Sequence, residues 1–161
     1  MRLLLVSLLA AGAATSAVAA PPTVTVNLSP AVRKAAAETY GVAEVDRVAE
    51  SLRQTVARKL DRTGALQGAQ VDLTLDDVKP NRPTFKQLSD KPGLSYQSFS
   101  VGGARVTGSA TAADGSVTPV SYQWYETDIR NAWYQPTWGD ADRAFGRLAD
   151  RLSRGDAGPD R

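Results

Sequence analysis

"SVGGARVTG", Ser100–Gly108, sets two adjacent glycines inside a stretch that otherwise alternates like a β-strand, and the reading of that pair decides how the strand fits its sheet. Phe99 and Val101 share one parity, while Ala104 and Val106 have the other. Side chains alternate between the faces of a strand, so a strand three starting near Leu94 keeps its apolar face inward only by gaining one residue between the two sets. Gly102-Gly103 stands where that residue would be inserted, and a β-bulge is predicted there. A phosphate cradle would need the glycines between a strand and a helix N-terminus, or a P-loop lysine. Here no helix follows and no lysine is present.

Working outward, Ala112–Ser116 carries the Asp114-Gly115 turn dipeptide, and alternation resumes through Val120, Tyr122 and Trp124. Strands three and four therefore read as a hairpin, with Pro119 facing an unpaired edge. Upstream, "AQVDLTLDDV" places Val71, Leu73 and Leu75 on one side as strand two, and the two prolines of "KPNRP" (79–83) end it. "TVTVNLS" (23–29) alternates as strand one, and Ser29-Pro30 offers an N-cap and a proline at the first helical position for a short helix to Glu38. From Val42 to about Arg62, Val45, Val48, Ala49, Leu52, Val56 and Leu60 recur with helical spacing, and Gly64 follows as a C-cap. The final helix repeats Ala141, Ala144, Phe145, Leu148 and Leu152, with Thr137 and Asp140 at capping-box spacing before them. The expected fold is α+β: a two-layer sandwich of an about four-stranded, mostly antiparallel sheet with two amphipathic helices packed on one face.

The first residues read as an export signal. Met1-Arg2, the apolar run Leu3–Ala14 and Ala17-Val18-Ala19 match the positive, hydrophobic and cleavage regions of a secretory leader. The domain expectation is a signal peptide at 1–19, one α+β domain at 20–154 and a disordered tail at 155–161. The chain contains no cysteine, hence no lipid-bearing cysteine and no disulfide, so a periplasmic or secreted protein without a membrane anchor is expected. Nineteen Lys and Arg stand against 17 Asp and Glu, a near balance that gives nucleic-acid binding no support.

The absence of both histidine and cysteine removes the Ser-His-Asp triad, thiol catalysis and the usual zinc and copper ligand sets. Carboxylate pairs remain at Asp76-Asp77 and Asp140-x-Asp142. Adjacent strand residues point to opposite faces, however, and the second pair suits a helix N-terminus. Asp77 or Asp128 meeting another acid in a cleft would be needed for a carboxylate hydrolase, the least favoured reading. No Ser-x-x-Lys occurs, and no calcium loop is matched. No cofactor or metal is expected.

The three tryptophans fall within one short stretch, together with Tyr122, Tyr125 and Tyr134. Tyr122 and Trp124 are expected on the core face of strand four, with Trp138 under the last helix. Trp133 and Tyr134, beside Gln135-Pro136, are expected in an exposed loop. The long connection between strands two and three is the other place for a contact surface, with Arg82 and Phe85 as its candidate residues.

"DVKPNRPTFKQL", "KPGLSYQSFSVGGARVTG" and "WYETDIRNAW" followed by "TWGDADRAFGRLA" together resemble uncharacterised exported proteins of Gram-negative bacteria that carry comparable Pro-Asn-Arg-Pro, Gly-Gly-Ala and Trp-x-Asp-Ala segments. The resemblance implies an envelope location and an α+β domain and transfers no site residue. The functional expectation is a non-catalytic envelope module that binds another envelope protein through Arg82, Phe85, Trp133 and Tyr134. The alternative is a carbohydrate or peptidoglycan binder that uses the loop aromatics, and the strand edge could pair two copies.

Overall fold

The computed structural model describes residues 20–156; the expected leader at 1–19 and residues 157–161 of the expected tail lie outside the described residues. The alternation at Thr23–Leu28 forms β1, and that at Gln70–Lys79 forms β2. Val24, Val26 and Leu28 sit opposite Val71, Leu73 and Leu75 in parallel register. A parallel pair needs a crossover. It is supplied by α1 (Pro30–Ala35), a π-helical turn (Ala36–Tyr40) and α2 (Val42–Thr63). The Ser29 hydroxyl caps α1 by accepting from the Val32 N–H at 3.2 Å, as its position before Pro30 predicts.

After β2 come α3 (Phe85–Asp90), the hairpin β3 (Gly103–Thr111) and β4 (Val117–Tyr125), a 3-10 turn (Ile129–Asn131) and α4 (Gly139–Ser153). The sheet order is β1-β2-β3-β4, antiparallel except for the first pair, which leaves β1 and β4 as its edges. The fold is α+β, as expected, with α2 and α4 against the sheet and against each other. Val45, Leu52, Val56 and Leu60 of α2 and Ala144, Phe145, Leu148 and Leu152 of α4 close over Leu73, Leu75, Val106 and Tyr122. The two helices run side by side in the same direction: Ser51 in mid-α2 donates to Asp142 near the start of α4 at 2.8 Å, and Lys59 pairs with Asp150 at 2.5 Å further along both. Among the described residues, no helix is long and apolar enough to cross a membrane.

The bulge lies elsewhere than at the glycine pair. β3 begins only at Gly103, so Phe99 and Val101 stand outside the sheet. The register of β2 on β3 steps from Leu75 opposite Val106 to Asp77 opposite Arg105, leaving Asp76 as the extra residue. The parity break that needed correcting is that between Leu75 and Val78 on β2, both of them buried. This bulge also corrects the reading of Asp76 and Asp77 as facing opposite ways. Thr107 donates to Asp76 Oδ2 and Tyr125 donates to Asp77 Oδ2, each at 2.6 Å. Thr107 and Tyr125 both lie on the outer face of the sheet, so the bulge turns both carboxylates outward.

Gly102 and Gly103 are required by close approach. A Cβ on Gly102 would stand 2.7 Å from the Lys79 carbonyl oxygen, and one on Gly103 would stand 2.3 Å from that of Trp124. The Thr137–Asp140 capping box does not form either. α4 starts after Trp138 without a side-chain cap of its own, and the cap comes from Asn81.

Candidate functional site

The Pro-Asn-Arg-Pro segment organises one end of the sheet. Asn81 is fully buried, and its Oδ1 accepts from the Asp140 N–H at 2.8 Å, capping α4 from 59 residues away. Its Nδ2 donates to Asp140 Oδ2 at 2.5 Å and to the Ser100 carbonyl at 3.1 Å. The Gly102 N–H donates to the same Asp140 oxygen at 3.0 Å. Asp140 is also fully buried; its Oδ1 has no hydrogen-bond partner among the described residues, and Arg143 stands 3.6 Å away. Three segments that are distant in sequence are thereby locked together: 80–84, 100–102 and 137–140.

Arg82 faces the other way from Asn81 and gathers the loops. Its Nε donates to the Gln135 carbonyl and its Nη1 to the Tyr96 carbonyl, each at 2.8 Å, and its Nη2 donates to the Trp133 carbonyl. A planar guanidinium suits three fixed acceptors. Arg82 therefore holds the surface, and the side chains it brings together form it. Phe85 (68 % exposed) meets Tyr96 (61 %) edge to face at 6.1 Å. Trp133 (62 %) meets Tyr134 (52 %) edge to face at 5.5 Å. By contrast, the aromatic side chains of β4 are covered: Tyr122 is buried under Arg151, and Arg147 lies 4.3 Å from the ring centre of Trp124.

Neither a protein-family model nor a curated protein sequence matches this chain. What the site can do is therefore read from its geometry.

Beside the Phe85–Tyr96 pair, a cavity of about 340 Å³ opens between the first half of α2, the 83–96 loop with α3, and the start of α4. Glu44, Arg47, Phe85, Tyr96, Trp138 and Asp142 are on its walls. Glu44 accepts from the Phe85 N–H at 3.1 Å, anchoring α3 to α2, and from Trp138 Nε1 at 3.4 Å. Trp138, expected under the last helix, stands at its N-cap, part-buried and with its ring edge-on to Tyr40 at 5.7 Å. Asp142 accepts from the Ser51 hydroxyl at 2.8 Å. Burial pushes the Asp142 carboxyl above its ordinary value, and the Ser51 bond offsets part of that rise. Removing water around a carboxylate disfavours its charged form unless a positive charge replaces the water.

The other acids singled out in the sequence are engaged away from this cavity. Asp76 and Asp77 each accept a hydroxyl on the outer sheet face, and burial followed by the Asp77 bond pushes the Tyr125 hydroxyl up. Asp128 pairs with Arg130 at 2.7 Å, which holds its carboxyl below the usual range. Among the described residues, no group of three or more acids is arranged to hold a metal ion.

Of the four candidate contact residues, Phe85, Trp133 and Tyr134 are exposed and Arg82 joins their loops. Sequence reasoning missed Tyr96 as the partner of Phe85, and Glu44 and Asp142 as wall residues. Asp142 reads from the sequence as an ordinary first-turn acid of α4, a position it does occupy, and Glu44 stands in the first turn of α2.

Proposed function

We propose that this chain is a non-catalytic, exported module of the cell envelope that docks another envelope protein on the end carrying Phe85, Tyr96, Trp133 and Tyr134. The observation that carries this reading is the capture of three loop carbonyls by Arg82, which ties the backbone at Tyr96 and at Trp133, each a member of an exposed aromatic pair, to one side chain. Rigid aromatic side chains lose little rotamer freedom on binding, and such residues dominate the energetics of protein interfaces. The Asn81–Asp140 lock beneath them removes backbone freedom that docking would otherwise have to quench.

The double variant Phe85→Ala, Trp133→Ala tests the reading. Both rings are exposed, so the thermal midpoint is expected to stay within about 2 °C of the parent, as for surface substitutions in general. Recovery of the envelope partner by crosslinking in the native host is expected to fall by at least about tenfold, the effect of losing an anchor worth upward of ~1.4 kcal/mol. Unchanged recovery by a folded double variant would sink the assignment of this surface.

A further inference from the structure

We infer that the cavity between α2, α3 and the start of α4 receives one cationic side chain, an arginine or a lysine, of the protein that docks on the neighbouring aromatic end. The inference rests on the proposed docking role only for the source of that side chain. At about 340 Å³ the cavity is near the lower limit for ligand sites, enough for one long side chain and too small for a folded segment.

Its walls carry two carboxylates from two different helices, Glu44 and Asp142, against one base, Arg47. Glu44 is held by the Phe85 N–H and Asp142 by Ser51, so both acids are oriented before any ligand arrives. Neither is joined to a cation in an ion pair among the described residues, although seven such pairs occur elsewhere. A positive charge seated beside Asp142 would offset the burial that pushes its carboxyl up.

Phe85 and Tyr96 line the same cavity and give an aliphatic stem something to pack on and a cation a ring face to approach. The chain uses this chemistry internally, with Arg147 at 4.3 Å from the Trp124 ring centre and Arg151 at 5.5 Å from that of Tyr122. A neutral sugar would use the ring faces but would leave the net negative charge of the walls unanswered.

The test is a titration of the folded protein, followed by backbone amide NMR shifts, with N-acetyl-arginine amide, its uncharged counterpart N-acetyl-norleucine amide, and the neutral disaccharide diacetylchitobiose. The arginine probe is expected to bind with a Kd of order 1 mM and to shift amides of residues 42–51, 84–96 and 137–142. The two neutral probes are expected to bind at least about tenfold more weakly. The variant Glu44→Gln, Asp142→Asn keeps an acceptor for Phe85 and for Ser51, and is expected to lose the arginine probe about tenfold while its amide spectrum remains that of a folded chain.

Equal binding of the norleucine probe, preference for the disaccharide, or indifference of the arginine probe to the double variant would each overturn the inference. Those failures are distinguishable from failure of the docking surface. The probes report on the cavity alone, whereas the Phe85→Ala, Trp133→Ala variant reports on recovery of the whole partner.

Discussion

Replacing Asn81 with alanine is expected to lower the unfolding free energy by about 3–5 kcal/mol, the range for stripping a partner from a buried charge. The side chain makes three hydrogen bonds in a fully buried position, two to Asp140 and one to the Ser100 carbonyl. Without it, Asp140 keeps only the Gly102 N–H on Oδ2 and Arg143 at 3.6 Å from Oδ1, and the first turn of α4 loses its cap. A fall in Tm of about 10 °C or more should accompany the loss. Asp140→Ala should cost less than Asn81→Ala, because it removes the buried charge itself and leaves Asn81 bonded to the Ser100 carbonyl and to the backbone N–H at position 140. The double variant should cost less than the two single changes added together, since each removes the same contacts. Urea unfolding of the four proteins checks the ordering. A loss below about 1 kcal/mol for Asn81→Ala would mean that the segments are held by something other than this lock.

Gly108→Val is expected to abolish cooperative folding. A Cβ at this position would lie 2.0 Å from the Asp72 carbonyl oxygen and 2.9 Å from the Leu73 Cα, both of them backbone atoms of β2. Leu73 is the register partner of Gly108, so neither side can retreat without opening the central β2–β3 ladder. Even alanine here should cost about 3–5 kcal/mol, at the upper end for point substitutions. Gly146 in α4 is the control, since a Cβ there meets nothing within 4 Å. Gly146→Ala should therefore stabilise by about 0.5–1 kcal/mol, from the lower entropy of the unfolded chain. Near-ultraviolet circular dichroism and denaturation midpoints separate the three cases. A native-like Gly108→Val protein would contradict the register of the two central strands.

The layers were legible because they rest on periodicity. The apolar stripe of α2 and the alternation of β1, β2 and β4 each bury a whole face, so any other pairing would expose several large side chains. The bulge at Asp76 was not legible, and the parity break that was read, Phe99 and Val101 against Ala104 and Val106, has no consequence because Phe99 and Val101 lie outside the sheet. Leu75 and Val78 carry the parity break that needed correcting, but the adjacent glycines at the start of β3 attracted the assignment. Their own reason, backbone approach to Lys79 and Trp124, depends on neighbours that no local pattern reveals.

The same limit governs the site. Phe85, Trp133 and Tyr134 could be named as exposed from their loop settings. The buried bonds of Asn81 and the loop carbonyls held by Arg82 were not legible, because the groups they bind lie tens of residues away in sequence. The Thr137–Asp140 spacing imitated a local cap that Asn81 supplies instead. A short polar sequence held between two prolines at a strand end was the available signal that this segment is structurally special.

The central claim, that the aromatic end is the docking surface, is tested most directly by site-resolved photocrosslinking in the native host. A photoreactive residue would be placed in turn at Phe85, Trp133, Ser109 on the outer sheet face and Gln54 on the exposed side of α2. The account predicts that positions 85 and 133 trap the same envelope protein and that positions 109 and 54 do not. A partner trapped from the sheet or the helix face, with nothing captured at 85 or 133, would contradict it.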